Sequence, residues 1–107
     1  MANFSRAKVF KLSKGFKGKR RNTFRNAIRT VHRSLKYQYR DRRQKKRIVR
    51  QEWIMNVSTA VREHGITYSR FMMALNRSNI SIDRKILCDL AINEPYSFKT
   101  IVDEVKR

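Results

Sequence analysis

Apolar residues recur at helical spacing along most of the chain. At 100° per residue Phe24, Ile28, Val31, Leu35 and Tyr39 fall on one narrow face, and that face resumes with Val49, Trp53, Val57 and Ala60. Between the two stretches the same face carries Arg42 and Lys46. No Gly or Pro interrupts the chain between Gly18 and Gly65, and Asn22 or Thr23 suits an N-cap. The pattern predicts one helix of about forty residues, ~60 Å long. Burying Arg42 and Lys46 unpaired would cost several kcal/mol each, so the middle of this helix must meet water or phosphate rather than a protein core.

Beyond Gly65, read as a C′ glycine followed by Ile66, the pattern is that of a small helical domain. Thr67 suits the cap of a helix carrying Phe71, Met72 and Leu75. Ser81 suits one carrying Ile82, Ile86, Leu87 and Leu90, and Ser97 one carrying Phe98, Ile101, Val102 and Val105. Pro95 separates the last two. These stripes can bury only against each other and the Trp53 to Val61 end of the long helix, which predicts a compact four-helix unit. Residues 1 to 23 show no sustained period and read as an extended basic arm, with at most one short helix. The fold class expected is all-α, with a basic arm and long helix over 1–52 and a globular helical domain over 53–107.

Charge sharpens that division. The chain of 107 residues carries a net +19. Residues 1 to 52 hold 19 basic and 2 acidic side chains (+17), and residues 53 to 107 hold 8 and 6 (+2). Solubility requires nothing of the kind, so a polyanionic partner is implied. Self-repulsion at this density predicts a first half that stays poorly ordered until phosphates neutralise it.

The positive charge is patterned. Arg25, Arg29, Arg33, Lys36, Arg40, Arg43, Arg47 and Arg50 follow one another at three or four residues and form a rail beside the apolar stripe. Like charges at i,i+4 destabilise an isolated helix by a few tenths of a kcal/mol each, which Asp41 and Glu52 cannot offset. Within the rail lies Tyr37-Gln38-Tyr39-Arg40-Asp41-Arg42-Arg43-Gln44-Lys45-Lys46-Arg47. Guanidiniums there can take phosphates bidentately and tyrosines can stack on bases, with Asp41 orienting a neighbouring Arg. Solvated helices usually alternate sign, and this one is nearly all positive. Lys14, Lys17, Lys19, Arg20 and Arg21 extend the candidate surface into the arm. Gly15 and Gly18 can bring backbone close to a phosphate, although a plain turn is the simpler reading.

Other chemistry is poorly represented. The acids are scattered, and His32 and His64 lie far apart in sequence, so no constellation of nucleophile, base and orienting group is legible and no enzyme is expected. His32 reads as a solvent-facing histidine beside the rail and His64 as a polar helix end. Cys88 is the single cysteine. It excludes an internal disulfide and a Cys-rich metal site, fits a reducing compartment, and reads as a small buried side chain. The Gly15, Gly18, Lys19 stretch lacks the spacing of a nucleotide-binding loop. Neither a cofactor nor a small-molecule substrate is implied. No apolar run approaches the ~18 residues of a membrane span, and Arg42 and Lys46 break the face that a membrane-surface helix needs. The first few residues have the composition of a mitochondrial transit peptide, basic, Ser-containing and free of acid until Asp41.

Phosphates dominate affinity for RNA and DNA alike, so charge does not separate them. Two features favour RNA: no heptad zipper follows the basic region, and aromatics lie among the cations as unpaired bases favour. A regulatory RNA-binding module and a DNA-architectural protein remain as alternatives.

The run Tyr39 to Arg47, followed by Arg50-Gln51 and Trp53-Ile54, resembles the signature of the bacterial-type large-subunit ribosomal protein L20 family. The likeness extends upstream through Lys14-Gly15-Phe16 and Gly18, and downstream through His64-Gly65-Ile66, Tyr68-Ser69, Phe71 and Ile82 to Leu87. It implies a long basic helix threading large-subunit ribosomal RNA, a small helical C-terminal domain docked on that RNA beside neighbouring ribosomal proteins, and an early role in subunit assembly. The family's C-terminal domain also binds RNA and in some bacteria represses its own message, which makes Arg70, Arg77, Arg84 and Lys85 candidate contacts. Two departures stand out. The arm before Lys14 is several residues shorter than in typical bacterial members, with family-like sequence from Phe10 onward arguing against a presequence that reaches past it. Asn93-Glu94-Pro95-Tyr96-Ser97-Phe98-Lys99 resembles mitochondrial members, so a mitochondrial ribosome is the expected location, with bacterial cytoplasm or plastid as alternatives.

Overall fold

The computed structural model describes residues 4–107, and the first three positions of the transit-like stretch lie outside them. Among the described residues the chain is all-α, with six helices and no strand: α1 Arg6–Leu12, α2 Lys19–Asn22, α3 Phe24–Glu63, α4 Tyr68–Arg77, α5 Arg84–Asn93 and α6 Pro95–Lys106. The chain divides into two compact units, Met1–Lys45 and Lys46–Arg107, with the division inside α3.

In the first unit the arm is folded, not extended. Ser5 caps α1, its hydroxyl accepting from the Lys8 N–H at 3.3 Å. Ser13 follows α1 and is fully buried, its hydroxyl within reach of the carbonyls of Phe10 (3.2 Å) and Arg21 (3.3 Å), which ties the end of α1 to α2. Gly15 and Gly18, with φ of 87° and 66°, make the intervening turn. Val9 from α1 is buried with Ala27 and Val31 of α3, and Phe10, Phe16, Phe24, Ile28 and Leu35 pack around them half-buried. Repulsion does not prevent this, because the aromatic residues meet inside while the charged heads stay in water. Arg6 lies over the ring of Phe24 at 5.0 Å and Lys8 over that of Phe4 at 4.5 Å, so these cations cover apolar faces rather than oppose their burial. Net charge alone predicts an extended arm, and the four phenylalanines Phe4, Phe10, Phe16 and Phe24 reverse that outcome. His32 is likewise not a lone solvent-facing side chain. It is half-buried and stacked on Phe4, with centroids 5.6 Å apart and planes 17° apart.

α3 runs for 40 residues. Its N-terminus is unspecialised: the Thr23 carbonyl accepts from Ala27 N–H at 2.8 Å, and no acid sits in the first turn. Its C-terminus is firmly closed. Ile66 N–H donates to the Val61 carbonyl (3.2 Å) and Gly65 N–H to that of Arg62 (3.1 Å), a Schellman pair that needs the positive φ of 78° at Gly65. Lys106 Nζ donates to the His64 carbonyl, a further acceptor that the helix leaves free.

The second unit buries Val57 and Val61 of α3 with Phe71 and Leu75 of α4, Leu87 and Cys88 of α5, and Phe98, Val102 and Val105 of α6, so all four helices contribute to one core. α4 ends as α3 does. Ile80 N–H reaches the Leu75 carbonyl at 3.0 Å and Asn79 takes the left-handed position with φ 57°. Two caps differ from expectation. α5 is capped by Asp83, not Ser81: its Oδ1 accepts from Ile86 N–H at 2.9 Å, and a carboxylate suits the positive helix end better than a hydroxyl. Ile82 therefore precedes the helix and packs on the core from the loop. α6 starts at Pro95, with Glu94 as its cap, so Ser97 lies in the first turn. Pro at the first helical position gives up no intrahelical bond, which makes Pro95 an initiator as well as a separator. Thr67 stands at the cap of α4, but its hydroxyl makes no cap bond. Asp83→Ala should lower the stability of this unit by about 1 kcal/mol in urea titration, whereas Ser81→Ala should leave it unchanged.

Candidate nucleic-acid interface

The centre of α3 packs against nothing among the described residues. Every residue from 36 to 48 is exposed. The apolar stripe is buried only near its ends, at Val31 and at Val57 and Val61, and has surfaced by Tyr39, which is 57% exposed. Repulsion among the cations costs this span helix stability, and no burial offsets it. Amide hydrogen exchange of the free protein should therefore be faster over 36–48 than over 53–61, and protection over 36–48 should rise sharply when a polyanionic RNA is added. Equal protection of the two spans in the free protein would show that the centre does not depend on its partner.

Side chains in this span are held in place. Arg40 lies over the Tyr37 ring at 4.7 Å and Arg43 over the Tyr39 ring at 4.7 Å, with Arg43 Nη2 donating to Tyr39 Oη at 3.3 Å. Asp41 accepts from Arg40 Nε at 3.1 Å and lies 3.0 Å from Nη2, as expected of an acid that orients a neighbouring Arg. Both partners of that pair are more than half exposed, so it adds little stability. What it supplies is order. An Arg already aimed loses less rotamer entropy on taking a phosphate, and its guanidinium fork suits two phosphate oxygens.

The remaining sequence-predicted residues fall into two groups. Lys14, Lys17, Lys19, Arg20, Arg21, Arg25, Arg29, Arg33 and Lys36 are all exposed on the first unit, and Tyr37, Arg42, Lys45, Lys46, Arg47 and Arg50 continue the exposed surface along α3. The structure draws part of the first group together. Lys17, Lys19 and Arg20 share an open groove of about 860 Å³ with Arg29, Arg33 and Tyr37. In the second unit Arg70, Arg77 and Lys85 are exposed, and Arg84 is half-buried with its Nε donating to Tyr68 Oη at 2.7 Å. Tyr68 thus fixes the angle of Arg84.

Sequence reasoning missed the uncharged polar residues of the groove, Asn26, Thr30, Ser34 and Gln38, although their spacing of four was a legible signal. It also missed Tyr68 as the partner of Arg84, which no local spacing announces. Cys88 is buried and accepts from Asn56 Nδ2 at 3.4 Å, a structural position. No helix of the described residues is long and apolar enough to cross a membrane.

Comparison with known proteins gives a consistent result. The family model for Ribosomal protein L20 matches residues 1–101. The large ribosomal subunit protein bL20 of Methylorubrum populi is 52% identical over 99 residues, covering 92% of this chain and 82% of that protein. The bL20 protein of a Chelativorans species is 48% identical over 105 residues, 98% of this chain and 79% of its own. That of Ehrlichia chaffeensis is 46% identical over 99 residues, 92% and 80%.

Proposed function

The chain belongs to the ribosomal protein L20 family, and on that premise we propose that it is a non-enzymatic structural constituent of the large ribosomal subunit that binds large-subunit ribosomal RNA. The observation that carries the reading is the exposed span 36–48 of α3, where seven cations face one acid on a helix that nothing among the described residues covers. Phosphates supply what that span lacks. Neutralising it removes the repulsion between its own turns and, at the same time, the repulsion between RNA segments brought close to either side. A helix of this kind joins RNA segments and supports their folding and the assembly of the subunit. Neighbouring large-subunit proteins complete the set of partners.

The basic contacts proposed are Lys14, Lys17, Lys19, Arg20 and Arg21 of the N-terminal segment, the rail from Arg25 to Arg50 with Arg42, Lys45 and Lys46 beside it, and the tyrosines Tyr37 and Tyr39 as stacking surfaces. Arg70, Arg77, Arg84 and Lys85 form a smaller basic set on the second unit, where the pinning of Arg84 by Tyr68 favours a fixed contact. The functional division proposed is an RNA-threading part over 1–52 and a helical anchor over 53–107, on the charge difference between them. The compartment proposed is the mitochondrion, on the stretch Asn93 to Lys99 that resembles mitochondrial members.

Crosslinking of the protein to RNA in cells, with sequencing of the attached RNA, tests function and place together. Sites clustered in mitochondrial large-subunit ribosomal RNA are expected. Sites in bacterial or plastid large-subunit RNA would correct the location alone. Scattered messenger RNAs or DNA would replace the ribosomal reading with a regulatory or architectural one.

A further inference from the structure

The groove of the first unit differs in chemistry from the exposed rail. One wall, from the turn and α2, carries Lys17, Lys19 and Arg20, and the facing side of α3 carries Arg29 and Arg33. The same groove is lined by an uncharged strip, Asn26, Thr30, Ser34 and Gln38, which recur every four residues along α3. Asp41 closes one end. We propose that this groove holds a single unpaired strand of RNA, its phosphates on the cationic walls and one base against the ring of Tyr37. The proposal rests on the RNA-binding reading above and specifies the form of RNA taken at this place.

Three observations separate an unpaired strand from a duplex. The first is the strip. Amides and hydroxyls can donate to phosphates as cations do, but this strip also offers acceptors, which phosphates cannot use and the amino groups of unpaired bases can. Thr30 donates its hydroxyl proton to the Asn26 carbonyl at 2.8 Å, so its oxygen is left to accept. The amides of Asn26 and Gln38 offer both functions. The second is Asp41. Its carboxylate is held by Arg40 and keeps lone pairs that phosphate oxygens cannot use, whereas the amino group of an unpaired base can donate to them. The third is Tyr37. The residue is 45% exposed and lines both the groove and a second hollow of about 540 Å³ shared with His32, Arg33 and Lys36. Arg40 lies over the ring at 4.7 Å. A base on the opposite face would complete a stack of guanidinium, phenol and base, an arrangement open to any base because each has a π-face.

Size agrees with chemistry. A groove of about 860 Å³ falls in the range of pockets that enclose a small ligand, roughly 300–1,000 Å³. It has room for a short piece of strand. A duplex also keeps its base faces stacked inside, where Tyr37 has nothing to meet.

The test uses the full chain and two RNA hairpins of equal length, one fully paired and one with an internal uridine loop that carries a single 2-aminopurine. The looped RNA should bind roughly tenfold more tightly at physiological salt, and its 2-aminopurine fluorescence should be quenched by the tyrosine stack. Tyr37→Leu should abolish the quench and cost roughly tenfold in affinity for the looped RNA only, with the salt dependence unchanged because the phosphate contacts remain. Tyr37→Phe should retain quench and affinity. Tyr37 is exposed, and circular dichroism of both variants checks that neither effect comes from a loss of helix. Equal affinity for the two hairpins, or an undiminished quench in Tyr37→Leu, overturns the proposal. If both hairpins bind equally and with steep salt dependence, the groove assignment fails while the RNA-binding reading stands. If neither shows salt-dependent binding, the RNA-binding reading itself fails.

Discussion

The triple substitution of Arg40, Arg43 and Arg47 by alanine is expected to weaken binding to large-subunit ribosomal RNA and to flatten its salt dependence. Each arginine–phosphate pair removed should make the slope of log K against log salt shallower by about one, so three pairs lower it by about 2 to 3. Affinity at low salt should fall by more than affinity at high salt, where the counterion contribution is already small. The stability of the free protein moves the other way. All three side chains are exposed, and their removal relieves like-charge repulsion in a helix that alanine favours. Helical ellipticity of the free variant should therefore be equal or higher while RNA affinity is lower. That pairing of signs rules out unfolding as the cause. Affinity and salt slope both unchanged in the variant would mean that the centre of α3 is not the RNA-binding segment.

Phe71→Ala is the second large effect, and it concerns the other unit. Phe71 is fully buried, with its ring 5.9 Å from that of Phe98, and lies among residues from all four helices of the core. Truncation should cost about 3–5 kcal/mol. A unit of about 60 residues has only about 3–9 kcal/mol of stability in total. The variant should therefore be largely unfolded in its C-terminal unit at physiological temperature, or lose most of its urea midpoint. Trp53, the single tryptophan, packs against this core and reports the transition by fluorescence. Tyr96→Ala, at a side chain 88% exposed, is the control and should leave the midpoint in place. Phe71→Ala should also spare the salt slope contributed by the exposed span of α3. Equal melting of the C-terminal unit in Phe71→Ala and in the triple arginine variant would contradict this division of labour.

Most of α3 and of the helical domain was legible in sequence for one reason: helix periodicity is a local property. A chain without Gly or Pro from residue 19 to 64, with Val31, Val57 and Val61 on one face, can do little else. Gly65 followed by Ile66 announced the end of α3 in the same way, because a left-handed residue after a helix is a local steric requirement. The caps were less legible. Ser81, Asp83, Ser97 and Glu94 all sit near helix starts, and the choice among them depends on where the apolar face of each helix must land on the core. The arm was misjudged because its order comes from contacts distant in sequence. Phe10 meets Phe24 edge-on at 6.2 Å, and Val9 is buried against Ala27 and Val31. Charge density alone could not announce those contacts.

The sequence by itself determined that the protein is helical, that its positive charge lies in its first half, and that the centre of its long helix has no apolar face to bury. Each follows from residue type and spacing along one element. Tertiary structure alone decided the rest. It folded the N-terminal segment onto the start of α3, formed an open groove lined by Lys17, Lys19, Arg20, Arg29 and Arg33, and set Tyr68 against Arg84. The physical reason is common to all three. Burial is set by which surfaces meet, and a groove or a pinned guanidinium requires groups from separate elements to be brought within a few ångströms by the packing of other residues.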